Sequence, residues 1–185
     1  MAFHIKFQYV VSMALLLAMP PAMSHGLQRS VFQQPDDFLQ EAFAGHVPDS
    51  RIIWMIGDMA KKYEEITGHS SPRIRVPYWR DGQRSIWILE EHIADAPAKL
   101  GIIIRDNKIQ AIHVLAYHSR HGRDVITPWF LDQFNGASLK GPEQKLDTEI
   151  KDISGIGEPV QAMADLARAA LYLNEESRLK HATLD

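Results

Sequence analysis

Apolar residues recur along this chain at changing intervals, and each change of interval marks an element. Phe38, Leu39, Ala42 and Phe43 fall on one side of a short helix. Pro35-Asp36-Asp37 opens it, with carboxylates in the first turn where the helix dipole favours them, and Gly45 closes it. A second helix is read from Ile53, Ile56, Ala60 and Tyr63, capped by Asp49 or Ser50 and stopped by Thr67-Gly68. Residues 69–76 are rich in serine and proline and read as a connection. The period then becomes that of strands. Residues 84–89 and 100–105 are rich in β-branched and aromatic side chains, and Asp106-Asn107 is turn chemistry. Across that turn, Ile109, Ala111 and His113 alternate with Ile112, Val114 and Ala116, so 109–117 completes a hairpin. Near-continuous apolarity in these strands implies that both faces of the sheet are covered. Residues 128–134 form a short helical segment ended by Gly136, and 139–153 alternates loosely as a strand running into a glycine turn. Val160, Met163, Ala164, Ala167, Ala170 and Leu171 make one face of a last helix ending near Asn174. The pattern predicts an α+β fold: a twisted, largely antiparallel sheet with packed helices.

Composition narrows the setting. The 185 residues suit one domain, and a formal net charge of −3 offers nucleic acid no basic surface. Lys6, the apolar run 10–19, Pro20-Pro21 and Ala22-Met23-Ser24 have the order of a secretory signal peptide, residues 1–24, cleaved after Ser24. The chain is therefore expected to be exported, periplasmic in a Gram-negative source, with no transmembrane segment in its mature form. With no cysteine, disulfides, Cys-ligated zinc and thioether haem are excluded. The expected organisation is a helical segment at 25–77, a domain at 78–174 and a charged, fraying tail at 175–185.

The stretch most open to chemistry is Asp152-Ile153-Ser154-Gly155-Ile156-Gly157-Glu158-Pro159. Two glycines permit a tight or left-handed turn, and Pro159 suits a first helical position. A glycine turn feeding a helix presents free backbone N–H groups along the helix dipole, so a phosphate-bearing ligand is the first expectation.

Three features occur in fixed order. A strand runs into Leu115-Ala116-Tyr117-His118-Ser119-Arg120-His121-Gly122. Next is Trp129-Phe130-Leu131-Asp132-Gln133-Phe134-Asn135-Gly136. Third is Ile153-Ser154-Gly155-Ile156-Gly157 with a helix ending Ala169-Ala170-Leu171-Tyr172-Leu173. Together with the strand end Trp87-Ile88-Leu89-Glu90-Glu91, this order resembles the FMN-binding domain of flavin-carrying peripheral subunits in sodium-pumping NADH:quinone reductase and related membrane redox complexes. The closest likeness is a compact, exported, single-domain branch. The resemblance implies a flavoprotein component of a membrane-associated electron-transport system, with a quinone or cytochrome partner. It places FMN against Ser154, Gly155, Ile156 and Gly157, with Ser119 and Gln133 contributing.

The chain departs from that pattern at the phosphate. Family members present Ser-Gly-Ala-Thr-x-Ser/Thr, whose last hydroxyl can take FMN as a phosphoester. Here Ile156, Gly157 and Pro159 replace the family Ala, Thr and acceptor, and Glu158 brings a carboxylate. Proline has no hydroxyl, so the expectation is FMN held non-covalently. The alternative is a degenerate FMN-domain protein acting as a flavin-free binding or assembly subunit. Metal binding by His113, His118 and His121 trails, because no carboxylate spacing completes a known site. No Ser-His-Asp order or paired-carboxylate helix points to a catalyst.

Overall fold

The structure is a computed structural model that describes residues 30–93, 96–118, 123–153, 155 and 157–182. The expected signal peptide, Ser119, Ser154 and Ile156 lie outside the described residues. Six strands form one antiparallel sheet: β1 (Ser30–Val31), β2 (Arg51–Trp54), β3 (Arg75–Asp81), β4 (Arg84–Ile93), β5 (Ala96–Arg105) and β6 (Lys108–Tyr117). Their order across the sheet is β1-β6-β5-β4-β3-β2. The helices are α1 (Pro35–Ala42), α2 (Asp58–Thr67), the short α3 (Pro128–Leu131) and the long α4 (Gly157–Ala182). The α+β architecture read from the pattern is thus the one observed.

Both faces of the central strands are covered. On one side, α2 and α4 pack over Trp87, Leu89, Leu100, Ile102 and Ile104. Ala167, Ala169 and Ala170 are fully buried there, so small side chains bring α4 close to the strands. On the other side, Phe38 and Leu39 of α1, with Phe43 just after it, close over Ile86 and Leu115. The β5–β6 turn has Asp106 and Asn107 both at positive φ (52° and 60°), the conformation that a tight two-residue hairpin requires. The β5–β6 register shifts twice, and Leu115 falls in the skipped position of one shift. Its carbonyl accepts N–H bonds from Phe32 and Gln33, which fixes the entry to α1.

Four expectations are corrected. Ile53 and Ile56 do not start the second helix, nor does Asp49 or Ser50 cap it. Residues 51–54 are a strand, and α2 begins only after Gly57 at φ 60°, ψ −135°, a conformation no helix contains. The run Ile52-Ile53-Trp54 is β-branched and aromatic, and extended backbone suits it better. The connection at 69–76 ends inside β3, whose Val76 and Tyr78 are buried, with Tyr78 stacked on Trp87 at 4.6 Å. The strand expected over 139–153 is only a ribbon of β7 (Leu139–Lys140) and β8 (Lys145–Leu146). Gly141 and Gln144 at positive φ turn it back on itself, and Asp147 pins it by accepting from Ser138 N and Oγ at 2.8 and 2.7 Å. Finally, α4 does not stop near Asn174 and the tail does not fray from residue 175. The helix continues to Ala182, with Asn174 and Ser177 buried.

Candidate functional site

The start of α4 is the turn expected to cradle a phosphate. Gly155 has φ +86°, so the left-handed turn is real. The helix opens at Gly157, which places Pro159 third in it and not first. The Asp152 carboxylate folds back over this turn. Its Oδ1 accepts the Ile153 N–H at 2.8 Å, and its Oδ2 lies 3.7 Å from where a Cβ on Gly157 would stand. Glu158 adds a second carboxylate in the first turn, and Pro159 removes one N–H. A dianionic phosphate would therefore meet two carboxylates and a depleted set of donors. The residues here do not fit the phosphate of FMN.

Gln133 lies within a 3-10 turn (Asp132–Phe134) and reaches across to the approach of the α4 turn. Its Oε1 accepts the Lys151 N–H at 2.8 Å, while its Nε2 is buried with no hydrogen-bond partner. Gln133 thus braces Lys151, on the segment that leads into the helix, and is not shown in contact with Gly155 or Gly157. Phe130 and Phe134 are core residues packed edge to face, and Trp129 is exposed. His113 packs against Phe38, and among the described residues no group of three His, Cys, Asp or Glu side chains is placed to hold a metal.

A cleft of about 380 Å³ opens beside the α4 start. Its walls are the end of α2 (Thr67) and the segment after it (His69), the end of β4 (Glu91, His92) and the first turns of α4 (Glu158, Gln161, Ala162, Asp165, Leu166). Glu91 is its fixed point. Successive inward residues of β4 are Ser85, Trp87, Leu89, Glu91 and Ile93, so the strand's own alternation carries this carboxylate into the interior. Glu91 Oε2 accepts from Tyr63 Oη at 3.2 Å, and Oε1 accepts from His92 N at 2.8 Å. His69 Nε2 stands 3.5 Å from Oε1 and Nδ1 lies 3.3 Å from the Ser70 carbonyl. Burial raises the Tyr63 hydroxyl pKa well above its usual value, and the Glu91 charge and hydrogen bond add to the effect. Asp165 is paired with Arg168 at 2.8 Å and also accepts from Gln161. Among the described residues, three carboxylates and no lysine or arginine line the cleft; with Asp165 already paired to Arg168, Glu91 and Glu158 set a field that favours cations and neutral donors over anions.

The sequence reading missed Tyr63, His69, Glu91 and Asp165. The signal for Glu91 was present: it keeps step with Trp87 and Leu89 in a period-two pattern. His69 and Tyr63 reach it from 22 and 28 residues upstream, a proximity that only the folded chain creates. Compared with family models, with curated proteins and with solved structures, the chain finds no match. Among the described residues, no helix is long and apolar enough to cross a membrane.

Proposed function

We propose that this chain is a flavin-free binding or assembly subunit built on an FMN-binding-domain-like scaffold. The observation that carries this reading is the helix start, where the Asp152 carboxylate lies over the turn, Glu158 adds a second carboxylate in the first turn, and Pro159 supplies neither N–H nor hydroxyl. Like charges repel at short range even where, as here, the turn is exposed, though solvent weakens the effect. The cleft beside it, lined by Glu91, Glu158 and Asp165, strengthens the same preference. The resemblance of the motifs sets the context: an exported, periplasmic protein serving a membrane-associated redox system, with a quinone or cytochrome complex as its partner. A second reading, a non-covalent FMN electron carrier, draws support from the buried donor Gln133 Nε2. The flavin ring would then supply the redox chemistry, and its phosphate would lie away from this turn.

The FMN content of the native protein, purified after co-expression with a flavin transferase, separates the readings: the flavin-free reading expects none, the non-covalent reading one per chain. The wild-type chain is expected to keep its unmodified mass, because position 159 offers no nucleophile. The triple variant Gly157→Thr, Glu158→Leu, Pro159→Ser restores a hydroxyl and an N–H and removes a carboxylate. It is expected to gain the mass of one FMN. Stoichiometric FMN on the purified wild type, with no change on making the variant, would overturn the proposal.

A further inference from the structure

At the far end of α4, two guanidinium groups converge in a network whose acceptors are all neutral. Arg80 of β3 donates through Nη2 to Asn174 Oδ1 and Ser177 Oγ, both at 2.8 Å. Ser85 Oγ donates to the same Asn174 oxygen at 2.8 Å. The Asn174 amide then donates to Asn107 Oδ1 at 2.9 Å, and Arg178 Nη1 donates to that oxygen at 3.1 Å. Arg80 and Arg178 are thus joined through two asparagine side chains. Among the described residues, neither forms an ion pair with a carboxylate; Asp81, next to Arg80, points to Arg84 at 3.9 Å. Arg80 Nε is buried and has no hydrogen-bond partner. Arg51 of β2 pairs across the sheet with Tyr78, whose ring lies 5.8 Å from the Arg80 guanidinium, so a third positive group comes to this region.

Half-buried charge without a counter-charge is costly, and guanidinium forks match the oxygens of phosphate. We infer that Arg80 and Arg178, with Arg51 beside them, form a binding site for a phosphate group. The Asn107 and Asn174 side chains consume some of the donors and hold the two forks in place, and among the described residues Arg178 Nε and Nη2 remain for the anion. Burial holds the Arg80 pKa below its usual value. Arg178 and Arg51 act in the same direction, while Tyr78 opposes them. A bound anion relieves that repulsion. The site lies roughly 25 Å along α4 from the glycine turn, so it is separate from the cleft and does not depend on the flavin-free reading.

The test is an NMR titration of arginine Nε–Hε signals with inorganic phosphate at constant ionic strength, with acetate as the comparison anion. The Arg80 and Arg178 signals are expected to shift saturably with phosphate, and the Arg105 signal to stay still. Arg178→Gln removes a charge from the last turns of the helix and is expected to weaken phosphate binding by about tenfold, the value of one charge-assisted pair, with Arg178→Lys retaining part of it. Either variant leaves Arg80 and its own hydrogen bonds to Asn174 and Ser177 in place, and the wild-type titration stands alone if Arg178→Gln does not fold. Shifts that fail to saturate by roughly 50 mM, well beyond the millimolar range of a specific weak site, would overturn the inference. So would an equal response to acetate, or unchanged affinity in a folded Arg178→Gln.

Discussion

Single side chains decide what the site accepts. In the reading proposed, Asp152, Glu158 and Pro159 turn the start of α4 against a phosphate, while the turn itself keeps a left-handed residue at Gly155. Glu158 and Pro159 were legible in the sequence, because absence of a hydroxyl and presence of a carboxylate are composition, whereas the placement of Asp152 over the turn was not. Nor was the geometry of Glu91 with Tyr63 and His69, since each comes from a different element. A further residue shows how little tolerance the packing leaves. Gly101 of β5 faces the Phe38 ring of α1, and a Cβ there would overlap three of its carbons. Phe38 is fully buried and also packs on His113, so it has nowhere to retreat. Gly101→Ala is expected to cost about 1–3 kcal/mol, the usual penalty for overpacking a core. Urea denaturation measures it, and an unchanged midpoint would show that α1 does not sit against β5 as described.

At the scale of elements, the sequence was informative where one period dominated and misleading where two overlapped. The β5–β6 hairpin and α1 followed directly from alternation and turn chemistry. The β2 strand did not, because Ile53, Ile56, Ala60 and Tyr63 satisfy a helical spacing while Gly57 interrupts the backbone. β3 was hidden by Pro77, which usually argues against a strand. It is tolerated opposite Ile52, although Asp81-Gly82 before Arg84 was a hairpin signal. The end of α4 misled for a different reason. Asn174 and Ser177 are polar, and polarity reads as solvent exposure, yet both are buried and bonded to Arg80. Asn174→Ala would strand Arg80, Ser85 and the Asn107 amide network without their shared partner. It is expected to lower stability by about 3 kcal/mol, the upper range for leaving a buried polar group unsatisfied. A cost within about 0.5 kcal/mol, the range of ordinary surface substitutions, would mean that the helix end is solvated and not docked.

For the whole molecule, fold and function part company. The α+β scaffold was readable from hydrophobic period, and it is the architecture found. A scaffold does not specify what it binds, because function resides in particular groups placed on it. Here the long helix carries carboxylates at its first turns and arginine at its last, in the sense that complements its dipole. The result is one molecule with an anion-rejecting cleft at one end of α4 and an arginine cluster at the other. The central claim concerns the first of these: the chain works without flavin. Titrating FMN with the purified protein and following flavin fluorescence tests it most directly. The account predicts no saturable binding at protein concentrations up to about 100 μM, whereas one-to-one binding with a Kd of about 1 μM or tighter would contradict it.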